Sequence, residues 1–159
     1  MLNEQAGAYG IGRIDMIENR AVGIKSRELY EAPAALTLIA AHRALEELVL
    51  TKGELEAKRE LEPKWAKLVY DGGWFAPLRN AYDAFFSATQ QLVTGEVRLS
   101  LQPGAPVVSG RRSEHALYSE ELASYGIGET FPHQAAGGFI GITALETQLV
   151  AARERVEVA

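Results

Sequence analysis

The chain contains no cysteine. Disulfide frameworks, thiolate metal sites and a cysteine nucleophile are therefore excluded. This is compatible with a cytoplasmic location, the one expected here. Histidine is scarce: His42, His115 and His133 form no H-E-x-x-H or other zinc spacing, so no metal site is expected. His42 sits among alanines and leucines and reads as structural, and His115 beside Ser113 and Glu114 does not amount to a triad. Positive charge is also short. Sixteen Lys and Arg against 21 Asp and Glu leave a net charge of −5. Nucleic-acid binding needs a basic stripe. The densest basic stretch here is Arg111-Arg112, followed at once by Ser113 and Glu114, so no nucleic-acid partner is expected. The first residues, Met1 to Gly7, carry neither the basic nor the apolar region of a signal peptide. No uninterrupted apolar run reaches the length of a membrane span, so no membrane partner is expected. Internal repeats and low-complexity tracts are lacking as well.

What is present is an ordinary globular composition over 159 residues, 47% hydrophobic and 23% charged. That length suffices for one domain with a core, or for one lobe of a larger enzyme. The first thirty residues read as extended. Ile14 and Met16 mark one face of a strand, Asn19-Arg20 turns it, and Val22, Ile24 and Ser26 return as a hairpin. Pro33 opens a helix with the stripe Leu38, Ala41, Leu45, Leu48. The charge-rich stretch from Thr51 to Tyr70 follows, with Glu54 and Lys58 placed to pair. Leu61, Trp65 and Leu68 form a stripe around Pro63, which starts a new helix or kinks this one. Pro77 starts a helix with the stripe Leu78, Tyr82, Phe85, Thr89, Leu92, capped by Gly95. Val97, Leu99 and Leu101 alternate as a half-buried strand. Pro103-Gly104 turns the chain into a return strand through Val107 and Val108. A short helix is expected at Glu120 to Tyr125 with Ser119 as its cap. A final helix begins at a Thr143–Glu146 capping box and carries Leu145, Leu149, Ala152 and Val156 on one face. The order of blocks predicts an α+β fold, with antiparallel strands packed with several helices and a C-terminal amphipathic arm. The division expected is 1–142 for the main domain and 143–159 for the arm.

Two glycine stretches invite a phosphate-binding reading and fail it. Gly10-Ile11-Gly12 lacks the third glycine of G-x-G-x-x-G, because Asp15 stands there. Gly23-Ile24-Lys25-Ser26 lacks the adjacent glycine and lysine of a P-loop. Turn or strand glycines are the plainer reading of both. The stretch from Arg13 to Glu31 differs. Arg13, Asp15, Glu18, Asn19, Arg20, Lys25, Ser26, Arg27, Tyr30 and Glu31 crowd ten polar groups together. Residue chemistry leaves two readings open. One is a solvated hairpin face. The other is a site for a zwitterionic small molecule, with carboxylates for its N–H groups and cations or hydroxyls for its carboxylate.

The run Gly10-Ile-Gly-Arg-Ile-Asp-Met-Ile-Glu-Asn-Arg20, then Lys25-Ser-Arg27, then Tyr30-Glu-Ala-Pro33, resembles the central signature of the argininosuccinate synthases. The resemblance continues through Leu68-Val-Tyr70 with Trp74, Thr94-Gly95, Leu117-Tyr118 with Glu121-Leu122, and Gly138-Phe139-Ile140. It implies an ATP-dependent ligase of arginine biosynthesis. In that reaction the ureido oxygen of citrulline attacks the α-phosphorus of ATP, and the amino group of aspartate then displaces AMP. Magnesium accompanies the ATP. The family's nucleotide-binding loop, S-G-G-x-D-T, has no counterpart, since Ser109-Gly110 is followed by Arg111. The resemblance therefore implies a C-terminal part that binds no ATP or magnesium alone and meets ATP and aspartate through a nucleotide-binding domain. It maps citrulline contacts onto Glu18 and Tyr30, in positioning roles, with no acid–base catalyst named. Arg13, Asp15, Lys25, Ser26 and Arg27 match the signature as supporting residues. The terminal helix resembles the family's arm, which implies a homotetramer. The alternative is a non-catalytic oligomerisation or binding fragment.

Overall fold

The computed structural model describes residues 1–123 and 134–156. It is an α+β protein. The element order is α1 (Leu2–Ala8), β1 (Arg13–Asn19), β2 (Lys25–Glu31), α2 (Pro33–Val49), α3 (Lys52–Tyr70), α4 (Pro77–Thr89), β3 (Glu96–Gln102), β4 (Ala105–Arg112), α5 (Glu120–Ala123), α6 (Ala135–Thr143) and α7 (Leu145–Val156). Two compact units divide at Tyr118/Ser119.

The N-terminus is helical rather than extended. Leu2, Glu4, Gln5 and Ala6 favour a helix, and Ala6 is fully buried. The Asn3 side-chain oxygen accepts from the Ala34 N–H (2.9 Å), satisfying an orphan donor at the start of α2. Gly12 then redirects the chain at φ +86°, and a Cβ there would lie 2.6 Å from Pro33 Cα. Its carbonyl accepts from the Ala32 N–H at 2.9 Å, which extends the base of the first hairpin.

That hairpin exists, but its turn is longer than expected. β1 and β2 pair antiparallel from Arg13↔Glu31 to Asn19↔Lys25. Residues 20–24 form the loop, closed by Arg20 N–H to Ile24 carbonyl and Gly23 N–H to Arg20 carbonyl, each 2.8 Å. Gly23, at φ +82°, supplies the left-handed residue, a role Asn19-Arg20 cannot fill. Val22 and Ile24 consequently lie in the loop, exposed.

α2 begins at Pro33 as expected. Its most buried positions are Thr37, Ala44, Glu46 and Val49, so the apolar stripe is offset and Leu38 is 60% exposed. α3 runs uninterrupted through Pro63. Its start is a capping box at Thr51 and Glu54. Glu54 is thereby committed to Thr51, and the cap holds its carboxyl below the usual range. The expected Glu54–Lys58 pair is replaced: Lys58 pairs instead with Glu46 (3.0 Å) and Glu62. α4 ends at Thr89, short of Leu92, and Gly95 is no cap. Gly95 instead opens β3 where a Cβ would overlap the Arg112 carbonyl.

β3 and β4 form the second hairpin, with Val97, Leu99 and Leu101 on the half-buried face. Ser109 is the extra residue at a bulge opposite Arg98–Leu99, and its hydroxyl donates to the Arg98 carbonyl (3.2 Å). α2 covers this hairpin. Arg111 anchors the packing by donating to Glu47 (2.8 Å) and the Ala44 carbonyl (3.1 Å). Arg112 pairs with Glu96 at 3.0 Å. Both arginines of the densest basic stretch are thus spent on internal carboxylates.

In the second unit, α5 starts under Ser119 as expected. Tyr125 lies outside the described residues. The Thr143 capping box does not form. α6 is already helical from Ala135, and Thr143 closes it with its hydroxyl on the Phe139 carbonyl. Ala144 alone separates α6 from α7. The stretch Ala135–Arg153 has a mean hydropathy of 1.3 and is long and apolar enough, by length and composition only, to cross a membrane. Counting uninterrupted apolar runs misses this, because Thr143, Glu146, Thr147 and Gln148 break the run.

Candidate functional site

The β1–β2 register sorts the polar residues of the first hairpin onto two faces, because alternate side chains point to opposite sides. Glu18, Ser26, Glu28 and Tyr30 share one face, and Arg13, Asp15, Lys25 and Arg27 share the other. Glu18 is opposite Ser26 and Tyr30 is opposite Ile14, two pairing steps apart on the same face. The two side chains nevertheless meet: the Tyr30 hydroxyl donates to Glu18 Oε1 at 2.8 Å. That bond, together with desolvation and the nearby Glu18, Glu28 and Tyr70, pushes the Tyr30 phenol above its usual range. Tyr30 is therefore a protonated donor at neutral pH, and its proton is committed to Glu18. What the pair offers a ligand is acceptors: the carboxylate oxygens and the phenol lone pairs.

The opposite face is closed on itself. Arg27 grips Asp15 with two bonds, 2.8 and 2.6 Å. The guanidinium holds the Asp15 carboxyl below its usual range, and Asp15 in turn raises Arg27. Arg13 pairs with Glu31 at 3.2 Å and Lys25 donates to Asn19 at 2.7 Å. Arg13, Asp15, Lys25 and Arg27 thus staple the hairpin on the side away from Glu18 and Tyr30. Ser26 is the one supporting residue on their face, and its hydroxyl is enclosed with no hydrogen-bond partner. Arg20 reaches Glu28 at 3.5 Å.

The glycine stretches serve the backbone. Gly12 is pressed against Pro33, and Gly23 sits in the hairpin loop with Lys25 turned to Asn19. Among the described residues no cluster of three or more His, Asp or Glu could hold a metal ion. His42 is exposed on α2, with its Nε2 3.0 Å from Glu46 Oε1. His133 lies outside the described residues.

Two features had no local sequence signal. Tyr70, from the end of α3, acts on Tyr30 from forty positions away in the chain. Glu46 and Lys58, 4% and 8% exposed, form a buried ion pair between α2 and α3. Glu46 also accepts from Gln90 Nε2 at 2.9 Å. Burial lowers the Lys58 ammonium, but its bonds to Glu62 and Glu46 outweigh that and hold it above its usual value. The pair floors an open groove of about 900 Å³ between α2, α3 and α4, with Trp65 and Phe86 in its walls. None of the residues singled out on the first hairpin lines it.

The chain is 53% identical over 154 residues to an argininosuccinate synthase of Acaryochloris marina, covering 97% of this chain and 39% of that protein. It is 55% identical over 148 residues to argininosuccinate synthases of Synechococcus sp. and Synechococcus elongatus, covering 93% of this chain and 37% of each. The chain thus spans well under half the length of these relatives. A family model described as the arginosuccinate synthase C-terminal domain matches residues 1–150. A match over almost the entire chain, in agreement with identity above one half, means that this chain belongs to the argininosuccinate synthase C-terminal domain family.

Proposed function

We propose that the chain supplies the citrulline side of an argininosuccinate synthase, with Glu18 and Tyr30 as the contacts. The observation carrying this is the 2.8 Å hydrogen bond that joins the two side chains on one hairpin face. Citrulline bears N–H donors at both ends, an ammonium and a ureido group. The Glu18 carboxylate and the Tyr30 phenol oxygen accept from such donors. Neither residue needs to move a proton. Both act by positioning, which is a large effect when two substrates must meet.

ATP with its magnesium, and aspartate, are held by a nucleotide-binding part outside this chain, a reading supported by the lack of an S-G-G-x-D-T loop in the sequence. Alone, the chain is inactive, and it works in the cytoplasm joined to a nucleotide-binding part. The test is to assemble the chain with the nucleotide-binding half of a relative and measure citrulline-dependent AMP release. Glu18→Ala should lower kcat/KM for citrulline by about 100-fold. Unchanged citrulline kinetics in that variant would falsify the assignment.

A second reading is a non-catalytic assembly fragment. The apolar face of α6 and α7 favours it, with Ile142 and Leu149 each 73% exposed. Assembly through this arm, to a tetramer, is compatible with both readings. AMP release by the assembled enzyme separates them.

A further inference from the structure

We infer that Ser26 is a positioning residue of this site, its hydroxyl being the second partner of the Glu18 carboxylate, taken up when a ligand N–H displaces the Tyr30 hydroxyl. The inference rests on the Glu18–Tyr30 reading and extends it to a residue outside that pair.

Three observations carry it. Ser26 is paired directly across from Glu18 on the same face. Side chains opposed in this way start about 5 Å apart at Cβ, so a rotation of Glu18 brings its carboxylate to the hydroxyl. The Ser26 hydroxyl is enclosed and has no hydrogen-bond partner in the free state. A buried hydroxyl left unpaired is costly and calls for an explanation. Finally, Glu18 is bound through a single oxygen, Oε1, to Tyr30. A ligand donor arriving at that oxygen competes with Tyr30 for it. A carboxylate that loses the tyrosine proton keeps its orientation if a second hydroxyl is within reach. Ser26 is the group the register places there, while the cations Arg13, Lys25 and Arg27 lie on the other face and are already engaged.

The role is orientation of Glu18 in the bound state, so the effect belongs in KM for citrulline and leaves kcat nearly alone. In the assembled enzyme, Ser26→Ala should raise that KM about tenfold, with kcat within about twofold. Ser26→Thr keeps the hydroxyl and should restore KM to within about threefold of the starting value. A Ser26→Ala variant with unchanged KM overturns the inference, whether or not its melting temperature falls, and a Glu18→Ala loss beside it leaves the Glu18 reading standing. Should Ser26→Ala fail to fold, Ser26→Cys, which preserves volume with a weaker donor, takes its place under the same criteria. If Glu18→Ala is also without effect, or if calorimetry detects no L-citrulline bound by the wild-type chain alone or assembled, both readings fail together.

Discussion

Within the Glu18–Tyr30 hydrogen bond the proton belongs to Tyr30, and this sets its pH behaviour. The folded chain holds that proton more tightly than the unfolded chain does, because the phenol is shifted upward. The resulting stabilisation is complete below the ordinary phenol value of about 10 and is lost as pH rises through the folded value. Tyr30 should therefore ionise above the ordinary phenol value in an absorbance titration. Glu18→Gln should bring it down, and an unchanged titration curve would contradict the bond. Asp15 behaves in the opposite sense. Arg27 depresses it, so its contribution is present above about pH 4 and fades as pH falls through the lower folded value. Because Asp15 and Arg27 point away from Glu18, Asp15→Asn should leave citrulline KM in the assembled enzyme within about twofold. The signature singled out Glu18 and Tyr30, and the structure joins these two side chains by a hydrogen bond. The division of labour between faces was not legible in the sequence, since it depends on a register that a five-residue loop shifted.

Among the elements, two close approaches and one buried pair decide stability. Gly12 and Gly95 each sit where a Cβ meets backbone, the first against Pro33 and the second against the Arg112 carbonyl. Gly12→Ala adds backbone strain at positive φ to the collision, and should cost about 2 kcal/mol or more in urea unfolding. A shift below about 0.5 kcal/mol would show that the strand start moves freely. The Glu46–Lys58 pair links α2 to α3. Glu46→Leu leaves Lys58 buried with Glu62 as its remaining carboxylate partner among the described residues, and should cost about 3 kcal/mol. Adding Lys58→Met should recover much of that loss, since an apolar pair avoids the desolvation of both charges. Additive losses in the double variant would mean the two residues act independently. Helix starts at Pro33 and Pro77 and the alternation of β3 were readable because they are local. The end of α4 and the partner of Lys58 were not: tertiary packing gave Gly95 a steric duty and offered Lys58 a better carboxylate than the one four residues away.

For the whole molecule, the described core of the first unit is small. Ala6, Ile11, Ala44, Val49 and Leu50 are its buried apolar residues, while Leu38, Phe75 and Leu78 remain exposed. The second unit carries an apolar helical stretch with almost no burial among its described residues. Surfaces of this kind mark interaction sites. The chain should therefore run larger than one copy in light scattering, and Ile142→Glu with Leu149→Glu should reduce its mass. A monomeric wild-type chain would speak against assembly through this arm.

Sequence alone determined the family, the helix starts set by proline, the two hairpins and the acidic balance, because each depends on residues close together in the chain or on an ordered signature. Tertiary structure decided which polar groups share a face, which glycines are sterically pinned, and where Lys58 finds its charge. Those outcomes turn on register and on packing between elements tens of residues apart, and no local pattern encodes either.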